Sequence, residues 1–138
     1  MLARDAGIGL TLYRVNGPMV VLTRVRGLYP NDTWGGRTVL YRRVRCDGGV
    51  LSVKLGTDEK LFDRDQVVTA TEEGRVVARV RVAPTAQPVL RVPLRPDAKR
   101  ECNVRFTASV LRVPAHVQSD SDDTRSLGAH YYAFDYRP

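Results

Sequence analysis

Two histidines, two cysteines and one dense group of carboxylates are the places where chemistry could reside in this chain of 138 residues. A nucleophilic hydrolase needs a serine or cysteine beside a histidine that a carboxylate orients. His116 falls in a long loop and His130 at the start of the last strand-like segment, and no Gly-x-Ser-x-Gly elbow accompanies either. Gly7-Ile8-Gly9 is a fragment of a phosphate-cradling loop, but it precedes a strand pattern, so it reads as a flexible strand entry. Two cysteines and two scattered histidines supply no zinc spacing. No catalytic residue is assigned, and no cofactor is expected apart from the calcium candidate considered next.

Asp120, Asp122 and Asp123 are the only dense acidic group. Calcium takes several oxygens from close-packed carboxylates, so these three are a calcium candidate. Their spacing departs from the EF-hand and lacks its distal glutamate, and the simpler reading is a solvated loop. Cys46 ends one strand-like segment and Cys102 begins another. Bridged, they close a long loop and stabilise the fold by about 4 kcal/mol on the chain-entropy estimate. Unbridged, they pack as small hydrophobes. Placement at strand ends favours the bridge.

The aromatic residues are the candidates for ligand contact. Trp34 lies in the turn-rich stretch Tyr29-Pro30-Asn31-Asp32-Thr33-Trp34-Gly35-Gly36. There a flat ring beside Asp32 could stack on the C–H face of a sugar while the carboxylate takes hydroxyls. The competing reading makes Trp34 a lid over one end of the core. Asn31-Asp32-Thr33 also matches the short glycosylation acceptor pattern. In the last segment, alternation sets Tyr132, Phe134 and Tyr136 on one face as core and leaves His130 and Tyr131 freer to meet a ligand.

The elements that must position these residues read as strands. Segments 8–15, 19–26, 37–46, 50–55, 66–71, 75–82, 89–94, 101–113 and 130–137 are rich in valine and separated by turn residues. The expected fold is all-β: an antiparallel two-sheet β-sandwich, jelly-roll-like, of about nine strands, forming a single domain over residues 1–138. Helix is confined to one turn within 58–65. Val76, Ala78, Val80 and Val82 alternate with Arg79 and Arg81, giving one buried and one wet face. Asp47-Gly48-Gly49 and Glu72-Glu73-Gly74 carry hairpin chemistry, Asn16-Gly17-Pro18 breaks the first two strands, and 114–128 is the longest stretch without a strand pattern.

Twenty-two basic against fifteen acidic residues leave a net charge of +7. All but three of the basic residues are arginine, and they are dispersed, so attraction to a polyanion is allowed but not specified. An oligonucleotide-binding barrel needs exposed strand aromatics among the basic groups, which these segments lack, so no nucleic-acid partner is expected. The longest apolar run is too short to span a bilayer, and the opening residues lack the organisation of a secretory signal, so an export signal is expected outside this stretch.

The closing run Asp122-Asp123-Thr124-Arg125-Ser126-Leu127-Gly128-Ala129-His130-Tyr131-Tyr132-Ala133-Phe134-Asp135-Tyr136 resembles the end of β-sandwich accessory domains attached to bacterial glycosyltransferases. With Leu12-Tyr13-Arg14-Val15-Asn16-Gly17-Pro18, Gly27-Leu28-Tyr29-Pro30-Asn31-Asp32-Thr33-Trp34 and Leu90-Arg91-Val92-Pro93-Leu94-Arg95, the chain is similar to the C-terminal extracytoplasmic domain of actinobacterial integral-membrane glycosyltransferases. The resemblance implies a non-catalytic domain that binds or positions a glycan or lipid-linked sugar. It also implies an extracytoplasmic location, a tether through a membrane-embedded portion of the same protein that is absent from this chain, and a bridge between Cys46 and Cys102. It transfers no ligand site. Asp123 and Arg125 read as a pair that fixes the long loop before Gly128 turns into the last strand. The alternative function is a purely structural module docking on membrane headgroups or a partner protein, with arginines such as Arg79, Arg81, Arg91 and Arg105 facing outward.

Overall fold

A computed structural model describes residues 21–138, together with the backbone of two short antiparallel strands, β1 (Ala3–Asp5) and β2 (Leu10–Leu12). Gly7-Ile8-Gly9, Asn16-Gly17-Pro18 and parts of the first two strand-like segments lie outside the described residues. The main sheet is built from β3 (Thr23–Leu28), β4 (Trp34–Arg43), β5 (Gly49–Gly56), β6 (Gln66–Glu72), β7 (Arg75–Val82), β8 (Val89–Leu94), β9 (Cys102–Ala108) and β10 (Ala129–Arg137). Every pairing is antiparallel, in the order β7-β6-β9-β4-β10-β5-β8, with β3 added on β4.

The all-β antiparallel expectation holds, and β4 explains the shape. Thr38 to Arg43 pair with β9 along one edge, while Leu40 to Arg43 pair with β3 along the other. Trp34 and Gly35 pair instead with His130 and Ala129 of β10. The ladder therefore passes from β9 to β10 between Gly35 and Thr38, which folds one sheet into two facing leaves, β3-β4-β9-β6-β7 and β10-β5-β8. The outer strands β7 and β8 approach each other, so the sandwich is nearly a barrel.

Alternation produces the core between the leaves. β6 buries Val68 and Ala70, β8 buries Leu90, Val92 and Leu94, and β9 buries Val104 and Phe106 against Val39, Tyr41, Leu51, Val53 and Leu55. Each fully buried aliphatic or phenyl side chain contributes about 1.5–3 kcal/mol. The expectation that Val76 lies inward is corrected: it is exposed. β7 is an edge strand, and a register shift opposite Ala70 and Thr71 changes the phase of its alternation. The Glu72–Arg75 hairpin turns with positive φ at Glu73 (49°) and Gly74 (79°), the left-handed pair that matches strand twist.

Element positions also differ from the sequence reading, among them the strand expected over 37–46, which runs as Trp34–Arg43. The helical turn, α1, falls at Pro114–Val117, where proline opens the helix without wasting an N–H. Residues 58–62 instead form a hydrogen-bonded turn in which the amides of Leu61 and Phe62 donate to the Asp58 carbonyl. The strand expected over 101–113 ends at Ala108, after which only Arg112 bridges, to Leu127.

Cys46 and Cys102 form a disulfide, both fully buried, with their Cα atoms 5.8 Å apart. Cys102 opens β9, but Cys46 sits just past β4, its amide donating to the Arg100 carbonyl at 2.8 Å. Such bridges belong to oxidising, extracytoplasmic environments. Among the described residues no helix is long and apolar enough to cross a membrane.

Candidate functional site

The end of the sandwich where β4 and β10 begin gathers most of the residues that could carry chemistry. Asn31 turns the chain with φ of 57°, and Asp32 Oδ1 accepts from the amides of Thr33 (2.7 Å) and Trp34 (3.2 Å). A short carboxylate makes this local turn readily. Asp32 Oδ2 accepts from Arg125 at 2.9 Å, and Arg125 also donates to both oxygens of Asp123. The same guanidinium lies 5.1 Å from the centre of the Tyr29 ring, whose hydroxyl donates to the Ser126 carbonyl. One side chain thus ties the loop before β4 to the segment before β10, which is 93 residues away.

The hydrogen bond from Arg125 holds the Asp32 carboxyl below its usual range, helped by the Trp34 and Thr33 amides and opposed by burial. Arg125 holds Asp123 down in the same way, and the two carboxylates push the guanidinium up. A lowered carboxylate pKa in the folded state gives stability that is present above about pH 4 and is lost as pH falls through the folded value. Asp32→Asn keeps the amide-capping oxygen but removes the charge. It is expected to cost about 1 kcal/mol at neutral pH, a loss of roughly 3 °C in Tm, and the gap to the unmodified chain should close as pH falls through the lowered folded value. Thermal melts across pH check this; a gap independent of pH would assign the loss to packing.

Trp34 and His130 pair across β4 and β10, so their side chains share a face, with ring centres 3.6 Å apart. The column continues to Phe62 on one side (6.2 Å from Trp34) and Tyr132 on the other (5.0 Å from His130). Trp34 is 8% exposed and packs with Leu61, Phe62 and Leu127 in a second, smaller core. It opens β4 instead of standing in a loop, so it forms the floor of this end of the molecule. His130 Nδ1 lies 2.7 Å from Thr33 Oγ1, and burial lowers its affinity for a proton, leaving the ring neutral at pH 7. Among the described residues no carboxylate bonds its other nitrogen. His116 is exposed on α1.

The expected division of the last strand is corrected. A bulge between Tyr131 and Ala133 in the pairing of β10 with β5 shifts the alternation. Tyr131 points inward, 2% exposed, with its hydroxyl unpartnered and hard to ionise, whereas Tyr132 points out at 38%. Phe134 and Tyr136 are partly buried against the core. Asp120, Asp122 and Asp123 are the calcium candidates. Asp123 commits both oxygens to Arg125, and among the described residues no three His, Cys, Asp or Glu side chains gather to hold a metal. Gly128 is required by close approach, since a Cβ there would sit 2.7 Å from the Gly36 carbonyl oxygen and 2.8 Å from the Ala108 Cβ.

Tyr132 and His130 open onto a groove of about 390 Å³, walled by Thr57, Asp58 and Glu59 after β5 and by the loop from Pro84 to Gln87. Thr57 Oγ1 is buried, without a hydrogen-bond partner among the described residues. The groove therefore offers an exposed aromatic ring, two carboxylates and an amide. Sequence reasoning singled out His130 alone among these residues, because the bulge that turns Tyr132 outward leaves no mark on simple alternation.

No family model matches the chain, and no curated protein matches it in sequence. A solved structure, the EclA C-terminal domain, described as a sugar-binding protein, has a TM-score of 0.49 and 10% sequence identity, covering 99% of this chain and 90% of that one. The likeness is too slight to carry an argument about ligand or site.

Proposed function

We propose that residues 1–138 act as one non-catalytic carbohydrate-binding domain, with the groove at Tyr132 and His130 as its sugar site. The observation that carries this reading is the partly exposed Tyr132 ring beside Asp58, Glu59 and Gln87. A sugar offers an apolar C–H face to a ring and hydroxyls to carboxylates and amides, and this groove has a group for each. Asp32, Trp34, Asp123, Arg125 and Gly128 would support the site from beneath, and Tyr131 would act from within the core. The resemblance to accessory domains of actinobacterial membrane glycosyltransferases supports the finer reading. In it, the domain sits outside the cytoplasm, tethered by the membrane-embedded portion of a longer protein, and presents a glycan or lipid-linked sugar to that enzyme.

A glycan array followed by titration calorimetry tests the proposal. Tyr132→Ala, on an exposed side chain, should keep the fold and weaken binding about tenfold, the loss of one ring contact worth roughly 1.4 kcal/mol. Absence of any bound glycan, or unchanged affinity in the variant, would leave the purely structural docking role in its place.

A further inference from the structure

On the outer face of the first leaf, away from the groove, β3, β4, β9 and the β6–β7 turn line a trough of about 790 Å³. The registers fix what lies across it. Arg24 stands directly opposite Arg42, which stands opposite Asn103. One step along the same face, Arg26 stands opposite Leu40, Leu40 opposite Arg105, and Arg105 opposite Thr71. Neighbouring strands lie about 4.8 Å apart and same-face residues about 7 Å apart, so four guanidinium groups converge on one short stretch of sheet.

Their charge is poorly compensated. Arg42 pairs with Glu101 at 2.7 Å, and Glu73 lies at the rim, but among the described residues no ion pair engages Arg24, Arg26 or Arg105. Like charges directly opposite on adjacent strands destabilise a sheet, and Arg24 and Arg42 are such a pair. An anion between them would turn that repulsion into attraction, since guanidinium binds carboxylate and phosphate through paired N–H donors. Between the arginines, Leu40 is 40% exposed and supplies an apolar patch.

We propose that this trough is a second binding site that takes a linear acidic polysaccharide, its carboxylates or phosphates read by Arg24, Arg26, Arg42 and Arg105 and its sugar faces resting on Leu40. A recess accepts a chain along its length, whereas a flat bilayer would meet its rims. The floor exposes no aromatic ring for base stacking, because Tyr41 faces the core at 2% exposure. The charge recognition stands apart from the Tyr132 groove; the choice of a glycan as the anion's carrier rests on the reading of that groove.

The test uses the full chain with polygalacturonate, neutral dextran, single-stranded oligothymidylate and phosphatidylglycerol vesicles as probes. Polygalacturonate should bind, more weakly as salt rises, and better than the other three. Arg24→Ala combined with Arg105→Ala should weaken it at least tenfold while Tm holds or rises. Dextran binding that falls with the same arginine changes, tighter retention of the oligonucleotide or vesicles, or indifference of polygalacturonate to the arginine changes would overturn the proposal. If neutral glycans bind through Tyr132 but the polyuronate gains nothing from the arginines, the trough fails and the groove stands. If only the arginine-dependent polyuronate binding appears, the trough stands and the groove fails.

Discussion

Replacing Cys46 and Cys102 together by alanine should lower stability by about 4 kcal/mol, equivalent to a drop in Tm on the order of 15 °C. The bridge spans a sequence separation of 56 residues, and a cross-link of that length removes much of the unfolded chain's freedom. It joins the stretch after β4 to the first residue of β9, strands that already pair at Arg43 and Cys102, so the native geometry needs no distortion to hold it. A domain of this size has roughly 5–15 kcal/mol in total, so the loss is a large fraction. Chemical denaturation of the native, reduced and double-alanine forms measures it. Reduction should reproduce most of the loss in the native chain and do nothing to the variant. A double variant melting within two degrees of the native chain would show that the sheet pairing alone confines the ends.

Gln66→Leu should cost about 3 kcal/mol and release the segment that supports the candidate site. Gln66 is fully buried at the start of β6, and its amide serves five partners. Nε2 donates to the carbonyls of Val110 (2.6 Å) and Gly128 (2.8 Å). Oε1 accepts from the amides of Val67 (3.0 Å) and Val110 (2.9 Å) and from the Ser109 hydroxyl (2.8 Å). Leucine fills the space but leaves the Val110 and Gly128 groups unpaired, and an orphaned buried polar group costs about 1–3 kcal/mol. Hydrogen exchange should show lost protection confined to residues 109–128, with the strand core unchanged. Gln66→Glu, which keeps the accepting oxygen, should lose the contacts to the two carbonyls but retain those to the amides. Uniform loss of protection throughout the sheet would mean that Gln66 supports the whole fold and has no special hold on this segment.

How much of this was legible in the sequence varies with the distance over which each feature is decided. The wet and dry faces of β6, β8 and β9 follow from alternation, because neighbouring side chains on a strand must point to opposite faces. The Glu72–Arg75 hairpin follows from turn residues that tolerate positive φ. Asp32, Trp34, His130, Asp123 and Arg125 were prominent by residue type, and the structure brings all five to one end of the molecule. Tyr132 reads from the sequence as core, and neither Asp58 nor Gln66 stands out by residue type. The first depends on a bulge, the second on a loop that closes against β10, and the third on two distant carbonyls that only the folded chain brings within reach.

The all-β class was determined by the chain itself, since valine-rich alternation acts over a few residues, whereas the Cys46–Cys102 bridge forms because the pairing of β4 with β9 brings together two thiols 56 residues apart. The handover of β4 from β9 to β10, the inward turn of Tyr131 and the gathering of four arginines opposite one another were decided only by tertiary structure. Each depends on register between strands far apart in sequence, and register is set by the packing of the whole sheet.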